Sequence, residues 1–423
     1  MENTSRGFHT VTIVKKLTKK EALELIADFQ SYAETNDIKF FQIRKTKSPD
    51  DSDEFTKWLH SAFPEYYIAH YLPKSKGILW LLRYSNISPG FIKPGEVDRP
   101  CSIKATINPK ILTGENDYLA AATEDYLEGV EDLFNAETKK ISPILGEYRH
   151  YSMNRPDYCV NFDLNELKIP CTAEQMIYLI KHGDIPRHYS ERTEDNDISK
   201  RKKFDKSSFY LESKSVNINC YWKHKQLKEK FQDCPDLEAA RNLIRFEIQC
   251  NYLKTYLLLR DIKNKPGLSE SDVIREMLSE DFCKDIIRKY FNRVIRSGDY
   301  FTLNEAIRQV QICHFSKKKE ARLIMELRRI NQFRGIHKVR ATLQGEELEI
   351  FRRTLRDLDD ININPVTIPR EWNIQRIPNL LNAYDRRIED ELYKKQQEEI
   401  SLQILKDYYD ERKKKGKKKA KKY

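Results

Sequence analysis

Long apolar runs are absent from this sequence of 423 residues. No stretch approaches the ~18 apolar residues that a membrane-spanning helix requires, and the N-terminal residues hold no apolar signal core. We therefore expect a cytoplasmic protein that has no membrane among its partners.

Paired metal-binding and redox motifs are also absent. The eight cysteines never form a Cys-x-x-Cys pair, and the nine histidines never occur as His-x-His. The cysteines are scattered, mostly within apolar segments, so we predict reduced core residues with neither zinc nor disulfides. A bound metal would take most of its ligands from carboxylates, which suits Mg²⁺ or Mn²⁺.

Nucleotide-binding and serine-hydrolase motifs are missing as well. No Gly-rich phosphate loop supports the use of ATP, and no nucleophile elbow supports a Ser/His/Asp hydrolase. Positive charge, by contrast, is abundant: the net charge is +11 and the isoelectric point is near 9.0. A basic excess of this size favours a polyanionic partner, nucleic acid before an anionic membrane. A solvated basic surface on an ordinary protein is the alternative.

The composition of the chain changes near residues 264–267. Before that point, strands alternate with amphipathic helices and predict an α+β domain over residues 1–265, with an antiparallel-rich sheet and flanking helices. After it, the pattern is almost entirely helical and predicts a helical domain over residues 266–376. A charged helix with a lysine-rich tail follows over residues 377–423, and we expect the tail to be disordered because like charges repel.

Periodicity and capping patterns define individual elements of both parts. The predicted strands include residues 8–14, 77–84, 102–107, 157–163 and 243–250, and the predicted helices include residues 19–32, 118–134, 173–181, 280–296, 303–312 and 317–333. Thr172 with Gln175, and Thr302 with Glu305, match the capping box that starts a helix.

One stretch combines a tyrosine, cations and a carboxylate in a pattern suited to phosphodiester chemistry. Alternating residues predict a strand that ends at Tyr221, where a lysine-rich helix begins. The predicted strand over residues 243–250 could pair beside it and carries Arg245 and Glu247 on one face. This arrangement favours a nuclease.

Tyr221 is the candidate nucleophile. A tyrosine oxygen can attack a DNA phosphate and hold it as a phosphotyrosine ester, which leaves a free 3′-hydroxyl. Lys223 and His224 follow closely and could stabilise the phenolate or the charged phosphorane. The chain has 23 tyrosines, most of which are expected to be packing or surface residues, so the residue pattern alone leaves the assignment open.

Asp157 and Glu247 are the candidate metal ligands. Both lie on predicted strands, where a carboxylate that is not used would be costly to bury. The alternative is that Glu247 pairs with a neighbouring arginine or lysine.

Four segments resemble, in matching order, motifs of the gene II-type replication initiators of filamentous phages and related plasmid replication proteins of Gram-positive bacteria. They are SIKATINPKILTG, RPDYCVNFD, NCYWKHKQL and NLIRFEIQCNYLKTY, at residues 102–114, 155–163, 219–227 and 242–256. The resemblance covers roughly residues 78–260 and is most specific at the last two segments. The helical region over residues 280–384 also resembles the carboxy-terminal part of the Gram-positive members, most clearly at residues 364–372, NPVTIPREW.

The resemblance implies a nicking and joining enzyme that starts rolling-circle replication. The nucleophile of the family corresponds to Tyr221, and the lysine two positions later corresponds to Lys223. The arginine and glutamate of its later strand correspond to Arg245 and Glu247. Its strand aspartate corresponds to Asp157.

Two further positions of the resemblance carry expectations. The family has isoleucine where this chain has Pro156, and proline cannot donate to a ladder, so Asp157 is expected at the start of its strand. Lys104 matches a basic residue of the family and could contact a phosphate. A solvent-facing lysine on an alternating strand is the alternative for Lys104.

The helical part is expected to bind the origin duplex. A helix, a turn with Gly345 and a second helix with Arg352 and Arg353 could form a helix–turn–helix. Ordinary helix packing with a solvated basic face is the alternative. Lys225, on the helix after Tyr221, is a further candidate for DNA contact.

These observations predict a DNA endonuclease and strand transferase at a plasmid or phage origin, dependent on Mg²⁺ or Mn²⁺. Its partners would be origin DNA, as duplex and single strand, and the host helicase and polymerase. A non-catalytic origin- or operator-binding protein is one alternative. An RNA-binding or structural protein that uses only the carboxy-terminal half is another.

Overall fold

The computed structural model describes most of the chain and is used for those residues only. They are 4–36, 39–43, 67–71, 77–83, 101–115, 119–191, 207–230, 235–263 and 270–420. The chain forms two units. The first comprises Met1–Asp163, Thr172–Arg296 and Gly335–His337, and the second comprises Leu164–Cys171, Ser297–Arg334 and Lys338–Tyr423.

An antiparallel sheet forms the centre of the first unit. Its ten strands within the described ranges are β1 (Ser5–Lys16), β2 (Lys39–Ile43), β3 (Tyr67–Tyr71), β4 (Ile78–Arg83), β5 (Ser102–Ile107), β6 (Ser152–Asp163), β7 (Ser190–Glu191), β8 (Ser208–Glu212), β9 (Val216–Trp222) and β10 (Leu243–Cys250). They lie in the order β2-β3-β4-β5-β1-β6-β10-β9-β8-β7. All neighbouring pairs are antiparallel. The predicted combination of an antiparallel sheet with flanking helices is confirmed.

Helices of the first unit accompany the sheet. They are α1 (Lys19–Asn36), α2 (Pro109–Leu112), α3 (Tyr126–Ile141), α4 (Ala173–Lys181), α5 (Lys223–Lys230), α6 (Tyr252–Lys263), α7 (Glu270–Leu278) and α8 (Glu280–Val294). The predicted capping box at α4 is confirmed. The Thr172 hydroxyl accepts from the Gln175 backbone N–H at 3.2 Å, and Gln175 Oε1 accepts from the Thr172 backbone N–H at 2.9 Å.

One face of the sheet is apolar and is covered by helices. Phe291 of α8 lies against Phe162 and Phe246, with ring centroids 5.8 and 5.3 Å apart. At β4, Trp80 packs between Phe29 of α1 and Phe134 of α3. Because side chains alternate along each strand, the polar residues of β6 and β10 face the other way.

Helices α7 and α8 belong to the first unit, although the sequence break at residues 264–267 led us to expect the sheet domain to end there. The hydroxyl of Tyr158 donates to the Met277 carbonyl at 3.0 Å. The ring of Tyr158 also contacts Phe282, at 6.1 Å between centroids. Without these helices, the apolar face of β6 and β10 would be exposed to water, which explains why the unit extends to Arg296.

Two local predictions in the first unit are wrong. Helix α3 begins at Tyr126 rather than at residue 118, because Ala122 exchanges two backbone hydrogen bonds of 2.9 Å with Phe8 of β1. Asp157 lies inside β6 rather than at its start. Pro156 is accommodated because pairing with β10 ends at Asp157, so at Pro156 strand β6 pairs only with β1, where Val11 lies opposite it.

Helices dominate the second unit. They are α9 (Leu303–Ile312), α10 (Lys317–Phe333), α11 (Ile336–Ala341), which begins in the first unit, α12 (Gly345–Asp360) and α13 (Leu380–Ala420), with a two-stranded ladder of β11 (Tyr300–Phe301) and β12 (Arg376–Ile377). Helix α13 continues to Ala420, whereas we expected the lysine-rich end to be disordered. Lysine and alanine have high helix propensity, which supports the longer helix. None of the helices that the structure describes contains an apolar stretch sufficient to span a bilayer.

Candidate active site

The register of three neighbouring strands collects the predicted site residues on the polar face of the sheet. Tyr221 of β9 lies directly opposite Arg245 of β10. On its other side, β10 pairs with β6 so that Gln249 lies opposite Asp157. Directly paired residues, and residues two positions apart, share a face of the sheet, so Glu247 joins the same group.

The Tyr221 phenol and the Glu247 carboxylate form a buried hydrogen-bonded pair. The phenol donates to Glu247 Oε2 at 3.2 Å, and Gln249 Nε2 donates to the other carboxylate oxygen at 2.8 Å. Tyr221 is 4% exposed and Glu247 is 5% exposed. The residue pattern had marked both side chains, but it gave no indication of this direct bond, because the register of the two strands determines it.

The environment keeps the Tyr221 phenol protonated at neutral pH. Burial raises the pKa of Tyr221 well above its usual value, and the charge of Glu247 raises it further, while Arg245 acts in the opposite direction. A nucleophilic phenol in this position therefore requires a proton acceptor, and Glu247 Oε2 is in place to be one.

Arg245 is held rigidly beside the phenol. Its Nε donates to Asn161 Oδ1 at 2.8 Å, and Nη2 donates to the Leu119 carbonyl at 2.5 Å. Asn161 Nδ2 bonds the same carbonyl and the Ser5 hydroxyl. These hydrogen bonds fix the position of the guanidinium in the sheet. Its positive charge therefore stays next to Tyr221.

Asp157 has one carboxylate oxygen in use and one without a partner. Its Oδ2 accepts hydrogen bonds from Thr10 Oγ1 at 2.5 Å and Arg155 Nη2 at 2.9 Å. Its Oδ1 is buried and has no hydrogen-bond partner in the described structure. Burial raises the pKa of Asp157 to about 6, Arg155 lowers it and the charge of Glu247 raises it. The negative charge of Glu247 therefore acts on the Asp157 carboxyl.

Two carboxylates suit a hard divalent cation such as Mg²⁺. Mg²⁺ is commonly bound through one or two carboxylates together with phosphate oxygens and water. The unpartnered Oδ1 of Asp157 is an available ligand of this kind. Among the described residues, no group of three or more His, Cys, Asp or Glu side chains converges on one point, so a metal here would depend on two acids and the substrate.

Lys223 joins the site, whereas His224 and Lys225 make other contacts. Lys223 is buried, with Nζ 5.9 Å from the Tyr221 ring centroid and bonded to Gln226 Oε1 at 2.8 Å. His224 stacks on Trp222 at 5.2 Å between ring centroids. Lys225 forms an ion pair of 3.8 Å with Glu229 on α5.

Lys104 belongs to a cationic group that sequence analysis recognised only in part. It lies on the same sheet face as Arg155, since Thr12 of β1 pairs with Arg155 and Val14 with Lys104. Burial lowers the pKa of Lys104, and the charges of Arg155 and Arg83 lower it further. The alternation of β4 and β6 would have been a signal for these two arginines. Together the three cations form a positive area on the polar face, next to Asp157.

Arg352 and Arg353 lie on the exposed side of α12 in the second unit. Arg352 bonds Glu349, one turn earlier, at 2.5 Å. The first turn of the same helix carries Glu346 and Glu347. The cations are therefore accessible, but carboxylates precede them on the helix.

No protein-family model and no curated protein matches this chain. The resemblance to the gene II-type initiators therefore stays a prediction based on the segments quoted above.

Proposed function

We propose that this protein cuts and rejoins one DNA strand at a plasmid or phage origin through a covalent phosphotyrosine intermediate on Tyr221, and so primes rolling-circle replication. The observation that carries the proposal is the bond from the Tyr221 phenol to Glu247, formed beside the cations Lys223 and Arg245. A nucleophile, a proton acceptor and charge stabilisation are thereby combined in one place.

The proposed cleavage is a transfer of the phosphoryl group to tyrosine. Tyr221 Oη attacks the phosphorus of a phosphodiester as its proton passes to Glu247 Oε2. The bond from phosphorus to the phenol oxygen forms, and the bond to the 3′-oxygen breaks. The 3′-oxygen takes a proton from water and becomes the 3′-hydroxyl that a polymerase extends. Rejoining is the reverse reaction, with a 3′-hydroxyl attacking the phosphotyrosine.

The fixed cations supply charge stabilisation in this scheme. The phosphorane that forms during the transfer carries more negative charge than the phosphodiester, so a positive group that is already in position lowers the barrier. Arg245 meets this requirement because the side chain of Asn161 and the Leu119 carbonyl hold it. Lys223 supplies a second positive charge near the phenol.

Mg²⁺ or Mn²⁺ would be held by Asp157 and Glu247, and it would polarise the phosphate and neutralise part of its charge. Asp157 contributes its buried Oδ1, which has no other partner in the described structure. Since the pKa of Asp157 is about 6, this carboxyl is ionised and able to act as a ligand at neutral pH.

Substrate access requires local movement around Tyr221. With only 4% of Tyr221 exposed, a phosphodiester reaches the phenol oxygen only after neighbouring side chains shift. This burial also favours a second candidate function, a DNA-binding protein in which Tyr221 and Glu247 are a structural pair without catalysis. The two candidates differ in whether a covalent adduct forms.

A covalent-adduct assay tests the proposal. Labelled single-stranded oligonucleotides that tile the DNA flanking the gene are incubated with the full chain and Mn²⁺, then separated under denaturing conditions. We expect a protein–DNA adduct that peptide mapping assigns to Tyr221 and that Tyr221→Phe abolishes. Tyr252→Phe, at a tyrosine that is 67% exposed on α6, is the matched control and should retain the adduct.

The outcomes separate the two candidates. An adduct that persists in Tyr221→Phe would exclude this nucleophile. DNA binding without any adduct, unchanged by EDTA, would support the non-catalytic candidate.

A further inference from the structure

We propose that α9 and α10 form a helix–turn–helix and that the exposed face of α10 binds in the major groove of duplex DNA. The inference deepens the proposed function and depends on it only for the identity of the duplex, which would be the replication origin. The binding itself requires no chemistry at Tyr221.

The connection between the two helices has the length and backbone of this motif. Helix α9 ends at Ile312 and α10 begins at Lys317, so four residues form the turn, as in helix–turn–helix proteins. His314 in this turn adopts the left-handed conformation, with φ of 51°. Ser316 then caps α10, its hydroxyl accepting from the Lys319 N–H at 3.4 Å.

A three-helix core fixes α10 against its neighbours. The core contains Ala306 and Val310 of α9, Leu323 and Leu327 of α10, and Leu358 of α12. Asp357 of α12 binds two cations of α10, Lys319 at 3.1 Å and Arg322. These contacts hold one side of α10 to the scaffold, so the opposite side is presented to solvent as a rigid surface.

The solvent side of α10 has a composition suited to a DNA groove. One exposed stripe follows the helix at intervals of three and four residues: Lys317, Ala321, Met325, Arg328 and Gln332. Cations can contact phosphates, glutamine can read adenine, and small or apolar side chains can contact the thymine methyl group. Met325 is 56% exposed, which is consistent with a surface that has a partner.

Charge distinguishes α10 from α12, the helix that carries Arg352 and Arg353. Helix α10 has six cationic side chains and two carboxylates, whereas α12 has three cationic side chains and six carboxylates. The N-terminal residues of a recognition helix approach the bases. In α10 these are Lys317 and Lys318, but in α12 they are Glu346 and Glu347, which phosphates would repel. The recognition role therefore falls to α10.

Duplex DNA is the partner that fits this surface. A helix of ~10–12 Å diameter matches the ~12 Å width of the major groove of B-DNA. The major groove of duplex RNA is too narrow for side chains to read. An acidic protein could also pair with the cations of α10. Binding to such a protein, however, would not need the helix–turn–helix connection that precedes α10.

The test compares two double variants of the full chain with equal charge change. Lys317→Ala/Arg328→Ala removes two cations from α10, and Arg352→Ala/Arg353→Ala removes two from α12. Binding to duplexes tiled from the DNA flanking the gene, and to scrambled duplexes, is measured by fluorescence anisotropy over a range of salt. All four residues are exposed, and circular dichroism verifies that each variant is folded.

We expect the α10 variant to lose about tenfold in duplex affinity or more, with a salt slope smaller by about 2. The α12 variant should remain within about twofold of wild type, because its cations follow a carboxylate-rich turn. Unchanged affinity in the α10 variant, an equal loss in the α12 variant, or equal competition by duplex RNA would overturn the inference.

The adduct assay separates this inference from the proposed function. The α10 variant should still form the Tyr221 adduct with a short single-stranded oligonucleotide. If the wild type forms no adduct but binds duplex through α10, the nicking proposal fails and the recognition helix stands.

Discussion

Asp157 is the side chain whose ionisation is most directly linked to both the stability of the fold and the proposed activity. Its carboxyl is 2% exposed, and Thr10 and Arg155 satisfy only one of its oxygens. The pKa of Asp157, raised by burial to about 6, means that the folded chain holds this proton more tightly than the unfolded chain. Ionised Asp157 therefore reduces stability above pH 6, while the proposed metal site requires the same charge.

We expect the stability difference between wild type and Asp157→Asn to depend on pH. The ordinary pKa is 3.8, so between pH 3.8 and 6 the folded wild type binds the extra proton, and this advantage is lost as the pH rises through 6. Relative to the variant, the free energy of unfolding of wild type should fall by about 1.4 kcal/mol between pH 5 and pH 7.5. Urea unfolding at both pH values measures the change.

The Asp125→Asn variant is the control for this comparison, because it makes the same chemical change at an exposed carboxylate. A difference between wild type and Asp157→Asn that stays constant with pH would contradict the assignment of a raised pKa to Asp157.

At the scale of elements, α8 is the helix that completes the sheet unit. Phe291 is fully buried and contacts one aromatic ring on β6 and another on β10. Both strands carry candidate site residues on their opposite face, namely Asp157 on β6 and Arg245 and Glu247 on β10. Packing of α8 therefore supports the strands that position the site, although no residue of α8 is proposed to take part in it.

We expect Phe291→Ala to reduce the free energy of unfolding by about 3–5 kcal/mol, as is typical when a buried aromatic ring is removed. Denaturant unfolding of the full chain, followed by circular dichroism and tryptophan fluorescence, measures the loss. Ile312→Ala, at a side chain that is 55% exposed, should change stability by less than about 0.5 kcal/mol. Similar small effects in both variants would show that α8 does not stabilise the sheet.

Charge has its largest effect at the scale of the whole molecule. The net charge is +11 and the last eleven residues, KKKGKKKAKKY, contain eight lysines. Such a cluster attracts phosphates regardless of base sequence, and counterion release makes the attraction sensitive to salt. It should increase total DNA affinity without contributing to the choice of origin.

We expect a variant with these eight lysines replaced by glutamine to bind random duplex more weakly and with a smaller salt slope, by about 0.9 for each lysine that contacts a phosphate. Its preference for the proposed origin over random duplex should stay unchanged, because the tail attracts the phosphates of both duplexes equally. Binding titrations at several salt concentrations provide both quantities. An unchanged slope would mean that the tail does not contact DNA.

The elements that were predicted correctly are those with strong local patterns. Alternation along residues 102–107 and 243–250 matches β5 and β10, and Thr172 caps α4 as its sequence indicates. Thr302 has the same pattern but makes no side-chain cap bond, and the Glu305 side chain accepts from Gln309 at 2.7 Å. Strands β2, β3, β7 and β8 were not predicted. Their pairing partners are distant in sequence or their runs are short, so local periodicity is insufficient.

The sequence by itself determined the chemistry that this protein can offer: a tyrosine at a strand end, cations beside it, and carboxylates on two strands with clear alternation. It determined these features because side-chain type and the two-residue period of a strand are local properties. Only the tertiary structure decided which groups meet. The pairing of β10 between β6 and β9 brings the Tyr221 phenol onto a carboxylate that is 26 residues away. The register of a ladder depends on hydrogen bonds between segments that are distant in sequence. On the apolar face of the sheet, packing of α8 against β6 and β10 holds that register in place.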